Sequence, residues 1–566
     1  MCKSLPDDFY LMTDFLSGIM RDLKKSIVAF GLFKLMKRGS AFAIVLLSIS
    51  LFLTTSHLAL SRASSSAPSV ATVSVPGVAD SNNVIFAYGG KYALFAAYAP
   101  SATNSSEYIS TDDDNHFVFG LDTRTPGAEL TRTDLRLYYP TTVKFDGESS
   151  RVYARGTRYV KDGSDLSPVD SVSYFTLNKS LQPDGGVVTF DIPGVGTTYS
   201  TGAPPDLALG RVDQREYLIF ASGASIYTFN IAVGYTYQLD LVPPSRYSEN
   251  YSITNFSFDE NNSLLTVVVC GRNFKKGKWQ YFSNIFCYRL VGNGTLDLVK
   301  QVLSESFPEA VNGGMTAMTP DSNVEISPDG NQAFFVTDDG SICSFELDGA
   351  NQNANVVRIG WSAELAVTDD ENRGPRFIKF DPATNSLSVV KSGYSVMIRR
   401  PIFGRPGGNG IRRPIFVRSV ESPALLLGQL NKKGRLVDVK VESDFGGPEL
   451  GISNVVSVGP GKGMIAAYSG NLLSVDFEKR SVGLVGGIGP RANSLTYDAE
   501  AANLIAVNSV NFDDTGKMIN PGAVAIARLS DDGTPAASLT AVVLSPFSLG
   551  GHSGIGIRRP CGLTGR

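Results

Sequence analysis

The chain has 566 residues, a formal net charge of −3, 57 glycines and only 19% charged residues. Low charge, abundant turn formers and many short apolar runs point to an all-β globular protein. No helix or face is visibly basic, which argues against nucleic-acid binding, and three histidines leave too few ligands for a multi-histidine metal site.

The N-terminus is the most specific local signal. Lys37 and Arg38 precede the uncharged apolar run AFAIVLLSISLFL, and the segment ends Ser61-Arg62-Ala63. A basic start, an apolar stretch of this length and small residues at −3 and −1 make a secretory signal peptide, with cleavage expected after Ala63, or alternatively after Ala59 or Ala67. Extended to Leu60, the apolar stretch reaches about 20 residues and would equally serve as a membrane anchor. Residues 1–35 contain Asp7, Asp8 and Asp14, unlike a signal peptide. Met36 makes a compact start by itself, so residues 1–35 read as an extension ahead of the true start, or else as a short cytoplasmic helix. Residues 64–82 are small, Ser- and Pro-containing, and read as a linker.

From residue 83 to residue 548 one grammar repeats: an apolar strand, a turn led by Asp, Gly or Pro, then a strand of small and β-branched residues. The units sit at 84–96, 143–154, 207–220, 256–269, 324–359, 377–390, 455–468 and 495–507. The clearest spans 323–349, NVEISPDGNQAFFVTDDGSICSFELDG. Ser327-Pro328-Asp329-Gly330 and Asp338-Asp339-Gly340 are turn chemistry, because proline presets φ and glycine accepts positive φ. Ala333 to Val336 is a continuous apolar run, as expected of a strand buried on both faces. Residues 341–347 alternate with period two. A four-stranded sheet of this kind has two apolar faces and cannot bury them alone, so copies must stack.

The ISPDG…FFVT…GSICSFELDG pattern resembles the blades of extracytoplasmic YVTN-type and WD-type β-propellers. The resemblance implies an all-β propeller of seven or eight four-stranded antiparallel blades, preceded by the N-terminal hydrophobic helix. Two packed sandwiches are the alternative architecture. The WD dipeptide is absent; tryptophan occurs only at 279 and 361.

The most unusual stretch is 398–419, IRRPIFGRPGGNGIRRPIFVRS, in which IRRPIF occurs at Ile398 and again at Ile411. Arg399, Arg400, Arg405, Arg412, Arg413 and Arg418 stand there with no acid between them. Prolines 401, 406 and 414 forbid a regular ladder except at an edge, so the stretch reads as a long hairpin-like loop projecting from the sixth unit. Arginines at this density suit carboxylate or phosphate recognition, and an acidic protein or envelope polymer is the partner class. A solvated insertion without a ligand is the opposing reading. Residues 549–566 are glycine-rich and read as a flexible tail.

Other constellations serve mainly as exclusions. The five cysteines, 2, 270, 287, 343 and 561, include no CxxC. Cys270 and Cys287 flank a Lys275-Lys276-Gly277-Lys278 turn, so an exported chain allows a disulfide between them. A hairpin centred on that turn would instead set Cys270 near Ser283 and leave buried free thiols. Asp112-Asp113-Asp114-Asn115-His116 offers oxygen ligands but lacks the order of a calcium loop. Gly459-Pro460-Gly461-Lys462-Gly463 lacks the Ser/Thr and helix of a phosphate loop. Six Asn-X-Ser/Thr sites, at 104, 178, 250, 255, 261 and 293, matter only in a glycosylating host. No cofactor, metal or catalytic residue is indicated. The expected function is an exported, monomeric binding or scaffold module, secreted or tethered through residues 41–60. A lactonase-like or glycan-cleaving hydrolase with its site in the central funnel is the alternative. Both rest on analogy with the fold.

Overall fold

The computed structural model describes residues 71–545, apart from 77–79, 99–115, 124–130, 193–206, 242–250, 312–315, 368–373, 400–413, 446–450, 488–491, 513–517, 531–534 and several shorter connections. The signal segment, the Ala63 cleavage site, the start at Met36 and the tail at 549–566 lie outside the described residues. Among the described residues no helix is long and apolar enough to cross a membrane.

Seven four-stranded antiparallel sheets follow one another, and an eighth sheet has five strands. Blade 1 spans residues 80–135, blade 2 138–191, blade 3 207–240, blade 4 252–302, blade 5 325–361, blade 6 376–442 and blade 7 456–487. The closing sheet takes residues 492–545 together with the strand Ala71–Pro76. Each of the eight repeats read from the sequence coincides with one sheet, and the chain is a β-propeller rather than a pair of sandwiches.

Alternation along the second strand of each blade explains the stacking. Strand residues point alternately to opposite faces. In blade 3, Leu218 and Phe220 pack against blade 2, while Tyr217, Ile219 and Ala221 pack against blade 4. In blade 5, Ala333 and Phe335 face blade 4, and Phe334 and Val336 face blade 6. Every junction from blade 1 to the closing sheet carries such a core. Burying one Phe or Leu is worth about 1.5–3 kcal/mol, so these junctions hold the ring together.

The ring closes through the first and last described strands. Ala71–Pro76 lies parallel to Pro535–Ser545, with Ala71 opposite Thr540 and Pro76 opposite Ser545. Part of the segment read as a linker, 71–76, is therefore a strand: its small and β-branched residues can extend a sheet edge as readily as they can form a coil. Blade 1 begins directly after it at Asp80, and Asn503 of the closing sheet donates to the Thr123 hydroxyl at 3.2 Å.

The blade 5 turn shows how tightly the connections are specified. Asp339 accepts hydrogen bonds from the Thr337 hydroxyl and from the Ser341 N–H, and Gly340 sits at φ +81°. A Cβ on Gly340 would lie 2.1 Å from the Ser362 carbonyl oxygen, whereas one on Gly223, at φ +58°, meets nothing within 4 Å. Gly340→Ala should therefore cost about 3 kcal/mol, from positive φ plus a backbone clash, and Gly223→Ala only about 1 kcal/mol. Urea unfolding of the two variants measures the difference; equal penalties would contradict the clash.

Candidate functional site

The arginine-rich stretch is a structural insertion. Between the second and third strands of blade 6, Ser386–Lys391 and Ala424–Leu430, the strands Tyr394–Arg399 and Pro414–Glu421 form a separate two-stranded sheet. Ile398 lies opposite Phe416, Arg399 opposite Pro414 and Val396 opposite Arg418. The first IRRPIF copy thus pairs with the end of the second. Pro414, which lacks an N–H, stands at the first position of its strand, where a ladder tolerates it. Arg399 and Arg418 are placed on this hairpin; Arg400, Arg405, Arg412 and Arg413 lie outside the described residues.

A second cluster of charge joins blades 2 and 3, and the sequence reading missed it. Asp146 ends the inner strand of blade 2, where its carboxylate accepts the Glu148 and Ser149 N–H groups at 3.1 and 3.0 Å and the Ser149 hydroxyl. Arg211, on the inner strand of blade 3, reaches back to Asp146, to Glu216 at 2.6 Å and to Glu148 at 3.0 Å. Burial alone would raise the Asp146 pKa. Hydrogen bonding with Glu216, Ser149 and the turn N–H groups outweighs burial and holds the carboxyl well below the usual range. Glu216 moves the opposite way, pushed up by burial and by the neighbouring Asp146. The two carboxyls meet as an acid–base pair would, but the Arg211 guanidinium sits between the blades and binds both, which is the arrangement of an ionic joint.

Deeper in the same junction, Arg155 and Asp170 are both fully buried and 2.6 Å apart. Arg155 also donates to the Ala221 carbonyl of blade 3 at 2.7 Å and lies 5.6 Å from the Phe220 ring centre. A fully buried pair of this kind survives desolvation only with such extra bonds. The sequence signal was available: Arg155 continues the apolar run Val152-Tyr153-Ala154 in a position that strand alternation turns inward. Further along the hairpin, Arg158 pairs with Asp191, which also accepts the Ser171 hydroxyl at 2.8 Å.

The remaining candidates resolve simply. Cys270 lies opposite Ser283 and Cys287 opposite Thr266, and both are buried free thiols. The disulfide allowed by the sequence is not formed, because the hairpin register offsets the two cysteines along the ladder. Burial pushes Cys287 and Cys343 up to about 12, so these thiols stay protonated. His116 begins the third strand of blade 1, opposite Tyr98; Asp112 to Asp114 lie outside the described residues. Among the described residues no three His, Cys, Asp or Glu side chains form a metal-holding group. The acids that end inner strands serve the turns: Asp259 accepts the Asn261 N–H, and Asp381 accepts the Thr384 N–H and, at 3.3 Å, the Gly461 N–H of blade 7.

No family model matches the chain, and no curated protein matches it. Among solved structures it is similar to BamB from Moraxella catarrhalis, at 10% identity over 75% of this chain and 93% of that one, with a TM-score of 0.39. It is also similar to a putative 6-phosphogluconolactonase from Bacteroides uniformis, at 12% identity over 80% and 96%, TM-score 0.35. A Dos1 propeller is similar at 11% identity over 77% and 91%, TM-score 0.41. None of these likenesses carries an argument about function; the fold assignment stands on the chain's own sheet order, which is that of a β-propeller built from repeated four-stranded blades.

Two outcomes test the blade 2–3 joint. Asp170→Asn strands the Arg155 charge and should cost about 3–5 kcal/mol, while Arg155→Met combined with Asp170→Leu should recover most of that loss. A double-mutant cycle by chemical unfolding reads this directly, and additive penalties would refute the pairing. Asp146→Asn should cost about 1–2 kcal/mol at pH 7. A carboxyl held below its unfolded value, about 3.9, stabilises the fold above that pH and loses its contribution as pH falls through the native value. The penalty should therefore shrink below about pH 4 in unfolding curves recorded across pH.

Proposed function

We propose that this propeller is an exported binding module that captures an anionic partner through the blade 6 hairpin. The observation that carries this reading is that the hairpin forms a two-stranded sheet separate from the blade 6 ladder. Blades 3, 5 and 7 make the same second-to-third-strand connection with short turns, pairing Ser222 with Ser225, Val336 with Ile342 and Ala466 with Leu472. Blade 6 completes its own four-strand ladder and also carries a second sheet that, among the described residues, pairs with no other. Six arginines on and between those strands repel one another unless an anion neutralises them, which favours a bound carboxylate or phosphate.

The sequence between Lys37 and Ala63 supports delivery beyond the cytoplasm, either released or tethered through residues 41–60. Against the hydrolase reading, four acids near the ends of inner strands, Asp146, Asp259, Asp329 and Asp381, are engaged by turn N–H groups.

The test compares the full chain with a variant carrying serine at positions 399, 400, 405, 412, 413 and 418. Binding to immobilised poly-glutamate and to an acidic polysaccharide is measured at about 0.15 M salt, where exposed charges beyond roughly 8 Å are screened. The parent chain should bind at least one probe, and the variant should lose more than about tenfold in affinity with an unchanged melting temperature. Equal binding by both chains would remove the hairpin from the reading.

A further inference from the structure

The connection between third and fourth strands is a tight turn in five blades: residues 178–182, 231–234, 291–295, 431–435 and 477–480. In blade 5 it runs from 347 to 356, about twice as long. The extra chain lies along the outer strand of blade 4, Leu296–Val302. Gln301 donates its N–H to the Gln352 carbonyl at 2.8 Å, and its own carbonyl accepts the Ala354 N–H at 2.9 Å. Asn353 thus stands parallel beside Gln301, and the Gln301 amide donates to the Asn353 side-chain oxygen at 2.9 Å. The Gln352 amide donates to the Leu298 carbonyl at 3.2 Å. These are groups that an outer strand otherwise turns to water, ready to pair with another chain.

A lysine fastens this segment. Lys300 is only 4% exposed, and its ammonium donates to the Gly349 carbonyl at 3.0 Å and the Asn351 carbonyl at 2.6 Å. Gly349 sits at φ +95°, a conformation that glycine adopts without strain. Beyond these bonds, Ala354 is buried in the core shared by blades 4 and 5, beside Val302 and Val356. The outer strands of blades 1, 2, 3, 5 and 6 carry charged residues of their own, which discourage strand addition. That of blade 7, Ser481–Gly487, is interrupted by Gly483, Gly486 and Gly487. The outer strand of the closing sheet is covered by Ala71–Pro76. Blade 4 has Asp297 at one end of its outer strand and turns its lysine inward onto carbonyls.

We propose that residues 349–354 are a strap that keeps the outer edge of blade 4 closed, and that a second copy of this chain pairs with that edge when the strap is lifted. The strap acts as a strand supplied in cis: it takes the Gln301 N–H and carbonyl that a pairing strand would need. Leu296–Val302 has the apolar, β-branched composition of a strand that pairs readily, and an identical edge on another copy is the partner always at hand. Lys300 sets how often the strap lifts, because opening removes both carbonyls from its ammonium. The freed ammonium then stands at the edge as a guarding charge, so the lysine opposes pairing in both positions.

The experiment compares four full-chain forms by sedimentation velocity over a concentration series and by hydrogen exchange. They are the parent, Lys300→Met, Lys300→Met with residues 349–354 deleted, and that deletion form with Gln301→Pro. The deletion joins Asp348 to Asn355 and leaves a short hairpin loop between Glu346 and Val357. Its mass should double relative to the parent. Gln301→Pro should restore the parent mass, since proline removes the N–H that faces the edge and spares the bonds to the third strand. In Lys300→Met alone, the Gln301 and Ala354 amides should exchange about tenfold faster, with residues 332–336 unchanged, and the dimerisation constant should rise by at least that factor. This point variant keeps the strap at full length, so it decides the matter should the deletion form not fold. A deletion form of parent mass would overturn the proposal, as would a doubling that Gln301→Pro fails to reverse. Faster exchange in Lys300→Met without stronger dimerisation, or unchanged exchange, would overturn it as well.

Discussion

Everything in this molecule depends on sheets that are apolar on both faces. A blade whose second strand alternates Leu218 and Phe220 with Tyr217 and Ile219 has no side it can show to water. It must stand between two others, and the last sheet must meet the first. The ring is closed not by a covalent staple but by a strand from the N-terminal end lying beside the C-terminal strand, with residues 71–76 in register with 540–545. That places both ends of the propeller in one sheet and gives the ladder there five strands instead of four.

Polar groups refine what apolar stacking begins. The acids at the ends of inner strands order the turns, and some reach the next blade, as Asp381 does to Gly461. At the junction between blades 2 and 3, Arg211 pairs with Asp146 across the two sheets, while Arg155 with Asp170 and Arg158 with Asp191 pair within blade 2. A buried ion pair gains little over an apolar one in stability, but it is intolerant of misplacement. What ties the two sheets together is the Arg155 bond to the Ala221 carbonyl of blade 3 and the Arg211–Asp146 pair.

Because the core is complete within the four-strand ladders, the rim is free to vary. Short turns and long hairpins alternate there without disturbing the stack. Separation of a scaffold from the loops that it displays is the general condition under which a propeller acquires a ligand.

The repeats were legible in the chain itself. Eight stretches with a turn after an apolar strand correspond to eight sheets, since the period-two pattern and the Asp, Gly and Pro turns act locally. The insertion at 398–419 was legible as a hairpin because its prolines and duplicated hexapeptide interrupt that grammar. Other features depend on neighbours distant in sequence. Residues 71–76 look like linker until the C-terminal strand lies beside them; the apolar run before Arg155 marks it as inward-facing, but its partners Asp170 and Ala221 are set only by the hairpin and the next blade. The offset of Cys270 from Cys287 follows from ladder register. Local pattern therefore determined which residues make strands and turns, while the tertiary arrangement decided which charges, thiols and chain ends meet, because those encounters occur only once the ring is closed.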